Sequence, residues 1–201
     1  MQIEVKNAWT IHVKDFLSDQ KFQSLFSTIQ SLPFVHKDNK KSFKCDIALF
    51  MQSSQKDIWQ DVFGGVGEDF LKIWKYLSSM YGKELIFNST WGVMKMKKGF
   101  HIGSHFDLHS DIQWVMYFSD GWEESLSWGN LFLEYWGTEE SFFVPSKNSL
   151  LLFPWKTRHR VSEYQLDIPR FSLSFWYSLQ SHEERNAHYF STYLYEDIEK
   201  F

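Results

Sequence analysis

The stretch "RFSLSFWYS", residues 170–178, carries the clearest strand pattern in the chain. Successive side chains of a β-strand point to opposite faces of the sheet. One face of this strand is polar where it begins and comprises Arg170, Ser172, Ser174 and, last, Trp176. The other face is apolar and comprises Phe171, Leu173, Phe175 and Tyr177. In a double-sheet barrel, the polar face would line a pocket.

Similar short runs, rich in aromatic and β-branched residues and separated by polar turns, follow one another from residue 83 onward. They occupy residues 84–96, 112–118, 130–136, 141–145, 149–154 and 170–179. No strong helical segment separates them, so parallel βαβ units are not favoured. The pattern predicts an antiparallel barrel or jelly roll with helices packed on one side, which makes the chain α+β overall.

Helical periodicity is confined to the first 82 residues. The first predicted helix has its N-cap at Ser18 and an apolar face formed by Phe22, Phe26 and Ile29. The second lies within residues 57–82, ends at Gly82, and has an apolar face formed by Phe70, Ile73, Trp74 and Leu77. We therefore predict a single domain over residues 1–201, with a helical support region (1–82), a β core (83–180) and a C-terminal extension (181–201).

Composition sets broad limits on function. The 201 residues are 43% hydrophobic and carry a formal net charge of −4, which is typical of one soluble domain. Lys and Arg are scattered, so no basic stripe favours nucleic acid as a partner. Because Cys45 is the single cysteine, no internal disulfide can form, and a metal site would need His and carboxylate ligands.

The segment "MQIEVKNAWTIHVKDF", residues 1–16, lacks the apolar core of a signal peptide. No later stretch has the apolar length needed to span a bilayer. We therefore expect a cytoplasmic protein with no membrane partner. Its oligomeric state is not indicated by the sequence.

The stretch "HFDLHSD", residues 105–111, contains two His-x-Asp triplets. Two residues at positions i and i+2 of a strand point to the same side, so either triplet can present an imidazole and a carboxylate to one metal ion. Spacing alone does not choose between the triplets. A third ligand is available downstream at His159, and Arg170 begins the last strand eleven residues later.

This series resembles the signature of the Fe(II)/2-oxoglutarate-dependent dioxygenases: His-x-Asp, a distant His, and an Arg about ten residues later. The resemblance is greatest to a compact branch similar to prolyl hydroxylases and to oxygenases common in phage and bacterial genomes. It runs from about residue 91 to residue 177, and "LLLFPWKTRHRVSEYQLDIPRFSLSFW", residues 150–176, is its most specific part. "WGNLFL", residues 128–133, is similar to the family's Gly-Gly-x-Leu segment, with Asn130 and Phe132 as differences.

The resemblance implies a double-stranded β-helix, the cupin-like jelly roll, and the cofactors Fe(II), 2-oxoglutarate and O2. The family's turn glycine falls on Gly99, six residues before the metal His. This match implies that the ligands are those of the first triplet and the distant histidine: His105, Asp107 and His159. His109 and Asp111 of the second triplet would then lie at the rim. Two imidazoles and one carboxylate on one side of iron leave the opposite side open for cosubstrate and dioxygen.

The resemblance also implies that Arg170 binds the distal carboxylate of 2-oxoglutarate, with Ser172 on the same strand face. A planar guanidinium can donate two parallel hydrogen bonds to a carboxylate, which an ammonium cannot. The nearest alternative cations by sequence are Lys95 and Lys97. Arg158 and Arg160, which flank His159, are predicted to be solvated.

Two differences from the family pattern concern the substrate. Ile102 stands where prolyl-hydroxylase-like sequences often have Tyr, and Trp176 stands where phage-type sequences tend to have Asn. The predicted pocket aromatics are Trp114, Trp136 and Trp176, with core packing as the alternative role for each.

The resemblance implies hydroxylation of a C–H bond in a peptidyl or amino-acid substrate, proline among the candidates, with release of succinate and CO2. One alternative is a hydroxylase of another small metabolite. Another is a non-catalytic, cupin-like metal-binding or interaction domain.

Overall fold

The computed structural model describes most of the β core and parts of the N-terminal region. The described residues are 2–7, 10–39, 43–51, 69–70, 72–73, 75–76, 79, 86–106, 112–118, 128–134, 141–144, 146–154 and 157–178. The predicted C-terminal extension, residues 181–201, therefore lies outside the described residues.

Twelve strands and one helix are defined within these residues. The strands are β1 Gln2–Asn7, β2 Thr10–Lys14, β3 Val35–Asn39, β4 Phe43–Met51, β5 Ile86–Met96, β6 His101–His105, β7 Ile112–Tyr117, β8 Leu131–Glu134, β9 Ser141–Phe143, β10 Ser149–Pro154, β11 Arg158–Val161 and β12 Arg170–Ser178. The helix is α1, Asp19–Gln30.

The strands form one antiparallel sheet that curls into a half-barrel, which confirms the predicted jelly roll. The order along the sheet is β1-β2-β10-β7-β12-β5-β4-β6-β11-β8-β9, and β3 pairs with β4. The last strand in sequence, β12, therefore lies between β7 and β5 near the middle of the sheet. β4 connects the two halves of the curl, because it pairs with both β5 and β6.

The two faces of the sheet form separate apolar cores. Helix α1 covers the outer face, and the ring of Phe26 lies 5.9 Å from that of Phe118 and 5.7 Å from that of Phe171. The inner face forms a second cluster whose members include Val115, Tyr117, Leu133, Phe153 and Val161. Since Phe171 and Leu173 belong to the outer cluster, Arg170 and Ser172 face the interior of the curl, as the alternation predicts.

Helix α1 begins where the sequence predicts, with Ser18 as its N-cap. The Ser18 side chain makes no capping hydrogen bond, so burial of the apolar face stabilises the helix. Phe70 and Ile73 of the second predicted helix are helical and buried in the same outer cluster. Trp74, Leu77 and Gly82 lie outside the described residues. Among the parts of the chain described, no helix has the length and apolar character needed to cross a bilayer.

The prediction of a helical support region over residues 1–82 is wrong for much of that region. Strands β1 to β4 all lie within it, and two of them are integral to the sheet: β2 pairs with β10, and β4 lies between β5 and β6. The physical reason is that pairing partners stabilise these strands more than local sequence does. The polar strand β3, "VHKDN", shows no apolar alternation, and among the described strands it pairs only with β4.

The carboxylate of Asp46 on β4 pairs with His36 on β3 and with Lys97, which follows β5. Removal of this carboxylate should destabilise the protein. The side chain is buried; Oδ1 lies 2.8 Å from His36 Nδ1, and Oδ2 lies 2.5 Å from Lys97 Nζ. Burial alone would raise the pKa of Asp46, but hydrogen bonds from Lys97 and His36 outweigh it and lower that pKa below its ordinary value. We expect Asp46→Asn to lower the free energy of unfolding at pH 7 by about 1–2 kcal/mol.

The pH dependence of this loss follows from the sign of the shift. A lowered folded pKa gives stabilisation that is complete above the unfolded pKa of about 4 and lost as pH falls through the folded value. Urea unfolding should therefore separate Asp46→Asn from wild type at pH 7 and much less at pH 3. Asp38→Asn is the control, because its carboxylate lies 4.0 Å from His36 and is more exposed. Equal losses in both variants at pH 7 would contradict the assigned role.

Candidate active site

Two of the predicted metal ligands meet across neighbouring strands. His105 at the end of β6 lies directly opposite His159 on β11. Their ring centroids are 4.2 Å apart, with an angle of 54° between the ring planes. The register shifts between this pair and the pair formed by Ile102 and Val161, so the ladder is irregular beside the histidines. Such irregularities often re-aim side chains next to active sites.

Each imidazole is oriented by a backbone carbonyl two residues earlier. His105 Nδ1 lies 2.8 Å from the carbonyl oxygen of Gly103, and His159 Nδ1 lies 3.0 Å from that of Thr157. A carbonyl oxygen only accepts hydrogen bonds, so each Nδ1–H donates. The matching neutral tautomer places the lone pair on Nε2, which is the form that coordinates a metal ion.

The predicted carboxylate ligand, Asp107, lies outside the described residues, as do His109 and Asp111. Among the residues described, no three His, Cys, Asp or Glu side chains lie close enough to hold a metal ion. The choice of the first His-x-Asp triplet over the second therefore stays a prediction, supported by the pairing of His105 with His159.

The turn before β6 has the form that the sequence predicts. Gly99 has a φ of +79°, a backbone conformation that residues with a Cβ rarely adopt. Its N–H donates to the Tyr164 carbonyl at 2.7 Å, and the Phe100 N–H closes the turn by donating to the Lys97 carbonyl at 2.9 Å. This glycine turn fixes where β6 starts and so places His105 at the end of that strand.

Arg170 is a buried cation whose hydrogen-bonding capacity is only partly used. It is 1% exposed, and its Nη1 donates to the backbone oxygen of Gly129. Within the described residues, neither Arg170 Nε nor the neighbouring Ser172 Oγ has a hydrogen-bond partner. Buried polar atoms in native proteins nearly always have partners, so these two atoms indicate a bound polar group.

The electrostatic surroundings of Arg170 indicate that the polar group it would bind is an anion. Burial lowers the pKa of Arg170, and the neighbours that oppose this shift are the phenols of Tyr117 and Tyr164 and the thiol of Cys45. Burial raises the pKa of Cys45 and of Tyr117 to about 12, so both are uncharged near pH 7. An unpaired buried charge is costly, and an anion at this position would remove the cost.

Tyr117 is a site residue that the sequence analysis did not single out. It lies on β7 directly opposite Ser172 in register, and its ring centroid is 5.6 Å from Arg170 Cζ. Ile102, at the position where related sequences often have Tyr, is buried in the inner core. A phenol is thus placed beside Arg170 from a different strand. Finding it from sequence would require the β7–β12 register.

The alternative cations point away from this interior. Lys95 Nζ lies 5.4 Å from the ring centroids of Phe34 and Phe171, on the face that α1 covers. Lys97 Nζ is paired with Asp46. Of these three cations, only Arg170 is buried.

The position of Trp114 agrees with core packing, the alternative role that the sequence leaves open. Trp114 is fully buried in the outer cluster and lies 6.3 Å, between ring centroids, from Phe70. It therefore lies on the opposite face of β7 from Tyr117, because the two are an odd number of residues apart. Trp136 lies outside the described residues, and Trp176 lies on β12 opposite Gln113 in register.

Comparison with known proteins gives one family match. Residues 91–178 match the sequence profile of the 2OG-Fe(II) oxygenase superfamily. The match covers less than half of the 201 residues, so it shows what this part of the chain is similar to. The matched segment runs from within β5 to the end of β12 and contains both histidines and Arg170. No curated protein matches the sequence.

Solved structures show the same fold at low sequence identity. A 2OG-Fe(II) oxygenase family oxidoreductase from Burkholderia pseudomallei has a TM-score of 0.67 and 15% identity, covering 87% of this chain and 88% of its own. A prolyl hydroxylase from Trichoplax adhaerens, in complex with a hypoxia-inducible-factor peptide fragment, has a TM-score of 0.67 and 16% identity, covering 89% and 86%. The α-ketoglutarate-dependent epimerase SnoN from nogalamycin biosynthesis has a TM-score of 0.64 and 12% identity, covering 84% and 77%.

The described residues fit the two groups that give the superfamily its name. Two adjacent imidazoles with Nε2 lone pairs suit a divalent iron ion. The unsatisfied atoms of Arg170 and Ser172 suit a carboxylate of 2-oxoglutarate.

Proposed function

We propose that this protein is a 2OG-Fe(II) oxygenase that hydroxylates a C–H bond of a peptidyl or amino-acid substrate in the cytoplasm, with release of succinate and CO2. Proline is among the candidate residues. The observation that carries the cosubstrate assignment is the buried, partly unsatisfied Arg170 beside Ser172 and Tyr117, in a chain whose paired histidines line the same interior.

In this proposal, His105, Asp107 and His159 hold Fe(II), and the remaining positions stay open for cosubstrate and O2. When bound, the iron supplies the oxidising chemistry with dioxygen and 2-oxoglutarate. The protein contributes orientation. The carbonyls of Gly103 and Thr157 hold the two imidazoles in the coordinating tautomer before any ligand arrives.

Arg170 and Ser172 bind the distal carboxylate of 2-oxoglutarate. The guanidinium donates from the atoms that Gly129 does not use, and the Ser172 hydroxyl adds a hydrogen bond from the same strand face. The phenol of Tyr117 is protonated near pH 7, so it is a third available donor. Three donors around one carboxylate would replace the water that this anion loses on entering the site.

The walls of the interior strengthen this recognition by excluding water. Leu133 and Leu151 are almost completely buried on the inner face, and Phe153 packs edge-on against the ring of His159 with centroids 5.3 Å apart. In such a low-dielectric environment, the attraction between a guanidinium and a carboxylate is much stronger than in water.

The choice of substrate class rests on charge and on fold comparison. The chain has 25 acidic and 21 basic residues, a balance that does not favour the polyanionic substrate of a nucleic-acid demethylase. The Trichoplax structure shows a protein of this fold with a peptide bound. A hydroxylase of another small metabolite is the second candidate, favoured by SnoN, whose fold serves a different reaction. A metal-binding domain without turnover would leave Arg170 unexplained.

A substrate-class experiment tests this proposal. We expect iron-loaded protein, given 2-oxoglutarate and O2, to release succinate with a peptide or amino-acid pool and to add one oxygen atom to a component of that pool. Succinate release and product mass are measured in parallel with a metabolite pool and a methylated oligonucleotide pool. Turnover confined to oligonucleotides would refute the substrate class, and absence of 2-oxoglutarate binding would refute the oxygenase assignment itself.

A further inference from the structure

A second group of unsatisfied polar atoms lies on the inner face of the sheet. Gln113 on β7 is 4% exposed, and Ser174 on β12 is 1% exposed. Within the described part of the chain, neither Gln113 Oε1 nor Ser174 Oγ has a hydrogen-bond partner. Both residues lie on the inner face, because Gln113 alternates in phase with Val115 and Tyr117, and Ser174 with Ser172. They are diagonal neighbours across β7 and β12, close enough for one small group to contact both.

Gln113 of this pair lies at the histidine end of the interior. Gln113 is directly opposite Phe153 on β10, and the ring of Phe153 contacts that of His159. Tyr117, which marks the carboxylate end, is four residues away along β7, about 13 Å at the usual rise of a strand. Polar atoms therefore extend along the interior from Arg170 and Ser172 at one end to Gln113 next to the predicted metal ligands, and Ser174 lies between these two ends.

We propose that Gln113 and Ser174 form a subsite for the primary substrate that recognises an N–H or O–H group beside the carbon to be oxidised. This inference rests on the proposed function. An amide oxygen such as Gln113 Oε1 only accepts hydrogen bonds, so its partner must be a donor. Ionised 2-oxoglutarate has two carboxylates and a ketone and supplies no donor, so the cosubstrate is not the partner of Gln113 Oε1.

The Ser174 hydroxyl extends the recognition, because it can donate to a carbonyl while Gln113 accepts from an adjacent N–H. A secondary amide presents both groups side by side. The substrate class that fits is therefore a peptide, an amino-acid amide or a hydroxyl-bearing relative, in preference to a hydrocarbon or a tertiary amide without a donor. In the ligand-free protein, the unsatisfied Gln113 Oε1 and Ser174 Oγ lower the free energy of unfolding, so their removal should have a measurable effect on stability.

The first test is the thermal stability of the ligand-free protein. Ser174→Ala and Gln113→Leu remove unsatisfied polar atoms and should leave Tm unchanged or raise it by roughly 2 °C. Ser149→Ala is the matched control: Ser149 is also 1% exposed on a strand, but its hydroxyl donates to the Ser146 carbonyl at 2.7 Å. The control should lower Tm. A comparable fall in Ser174→Ala and Gln113→Leu would assign these residues a structural role and overturn the proposal.

The second test uses two small amides that differ in one donor. N-methylacetamide has one N–H, and N,N-dimethylacetamide has none. The full-length protein, loaded with Zn(II) and 2-oxoglutarate, is titrated with each amide and followed by two-dimensional NMR. We expect wild type and Ser149→Ala to bind N-methylacetamide about fivefold more tightly than its dimethyl analogue, and Gln113→Leu to lose this preference. Equal binding of the two amides, or binding of neither, would overturn the proposal.

A titration with 2-oxoglutarate separates this proposal from the proposed function. Zn(II)-loaded Gln113→Leu should bind 2-oxoglutarate within about twofold of wild type, because Arg170 lies at the other end of the interior. A loss of tenfold or more would assign Gln113 to the cosubstrate and overturn the inference, while the proposed function would stand. Failure of wild type to bind 2-oxoglutarate would refute the proposed function, and the inference with it.

Discussion

Substituting alanine for His105 or His159 should abolish stoichiometric Fe(II) binding while the protein stays folded. The two rings lie 4.2 Å apart and are each oriented through Nδ1, so in the proposed site each would contribute one Nε2 ligand. Loss of an orienting partner alone typically weakens metal binding 10- to 100-fold, so loss of a ligand should weaken it by more than about 100-fold. Anaerobic equilibrium dialysis against Fe(II) measures the binding, and circular dichroism reports the fold.

Control substitutions make this result specific. His101 is on the same strand as His105 but four residues away, about 13 Å at the usual strand rise, so His101→Ala should retain the metal. Asp107→Ala should lose it, and His109→Ala should retain it. Full-affinity iron in Asp107→Ala, together with loss in His109→Ala, would assign the ligands to the second triplet.

Exchanging Arg170 for lysine should weaken 2-oxoglutarate binding by about 1–3 kcal/mol and leave iron binding nearly unchanged. Lysine keeps the charge but loses the planar fork that can donate to both a carboxylate and the Gly129 carbonyl. In the lysine variant, Ser172 and Tyr117 would no longer be joined by a guanidinium as the third donor to the same carboxylate. Anaerobic titration of 2-oxoglutarate into the iron-loaded protein, followed by the charge-transfer absorption of the complex, measures the affinity.

Arg160→Lys is the matched control for this experiment. The Arg160 guanidinium lies 3.8 Å from the ring centroid of Phe132, on a strand that also carries His159. Because it is partly exposed, its replacement should leave 2-oxoglutarate affinity unchanged. Unchanged affinity in Arg170→Ala would instead assign the carboxylate to another cation.

The strands after residue 83 were predictable because side chains that face the core must be apolar, and this requirement gives the sequence a recognisable pattern. In β12, polar and apolar side chains alternate, and the structure places Arg170 and Ser172 on one face and Phe171 and Leu173 on the other. The turn at Gly99 was predicted from the family resemblance, and its φ of +79° explains why a glycine occupies it, since few residues with a Cβ adopt this conformation. Side-chain alternation along a strand and the conformational freedom of glycine therefore explain the face of β12 that Arg170 occupies and the turn at Gly99.

Other features depend on which strands pair, and the sequence does not state the pairing. Tyr117 and Trp114 lie on the same strand, but only its register with β12 shows that Tyr117 faces Arg170 and Trp114 faces the helix. The polar strand β3 also depends on pairing. It has no alternating apolar pattern that would predict a strand, and it forms one because it pairs with β4. Long-range strand pairing thus determines which face each side chain occupies and whether a polar segment forms a strand, and local propensity determines neither.

The central position of β12 bears on how the chain folds during synthesis. The ribosome releases the chain from its N-terminus, so β5 and β7 emerge well before β12, their common neighbour. Until residue 178 has left the exit tunnel, both strands lack one partner, and unpaired strand edges promote aggregation. Arg170 and Ser172 lie on the strand that closes this gap. A nascent chain therefore closes this gap in its sheet and places Arg170 and Ser172, the proposed carboxylate-binding residues, in the same step, and a chain truncated before β12 lacks both.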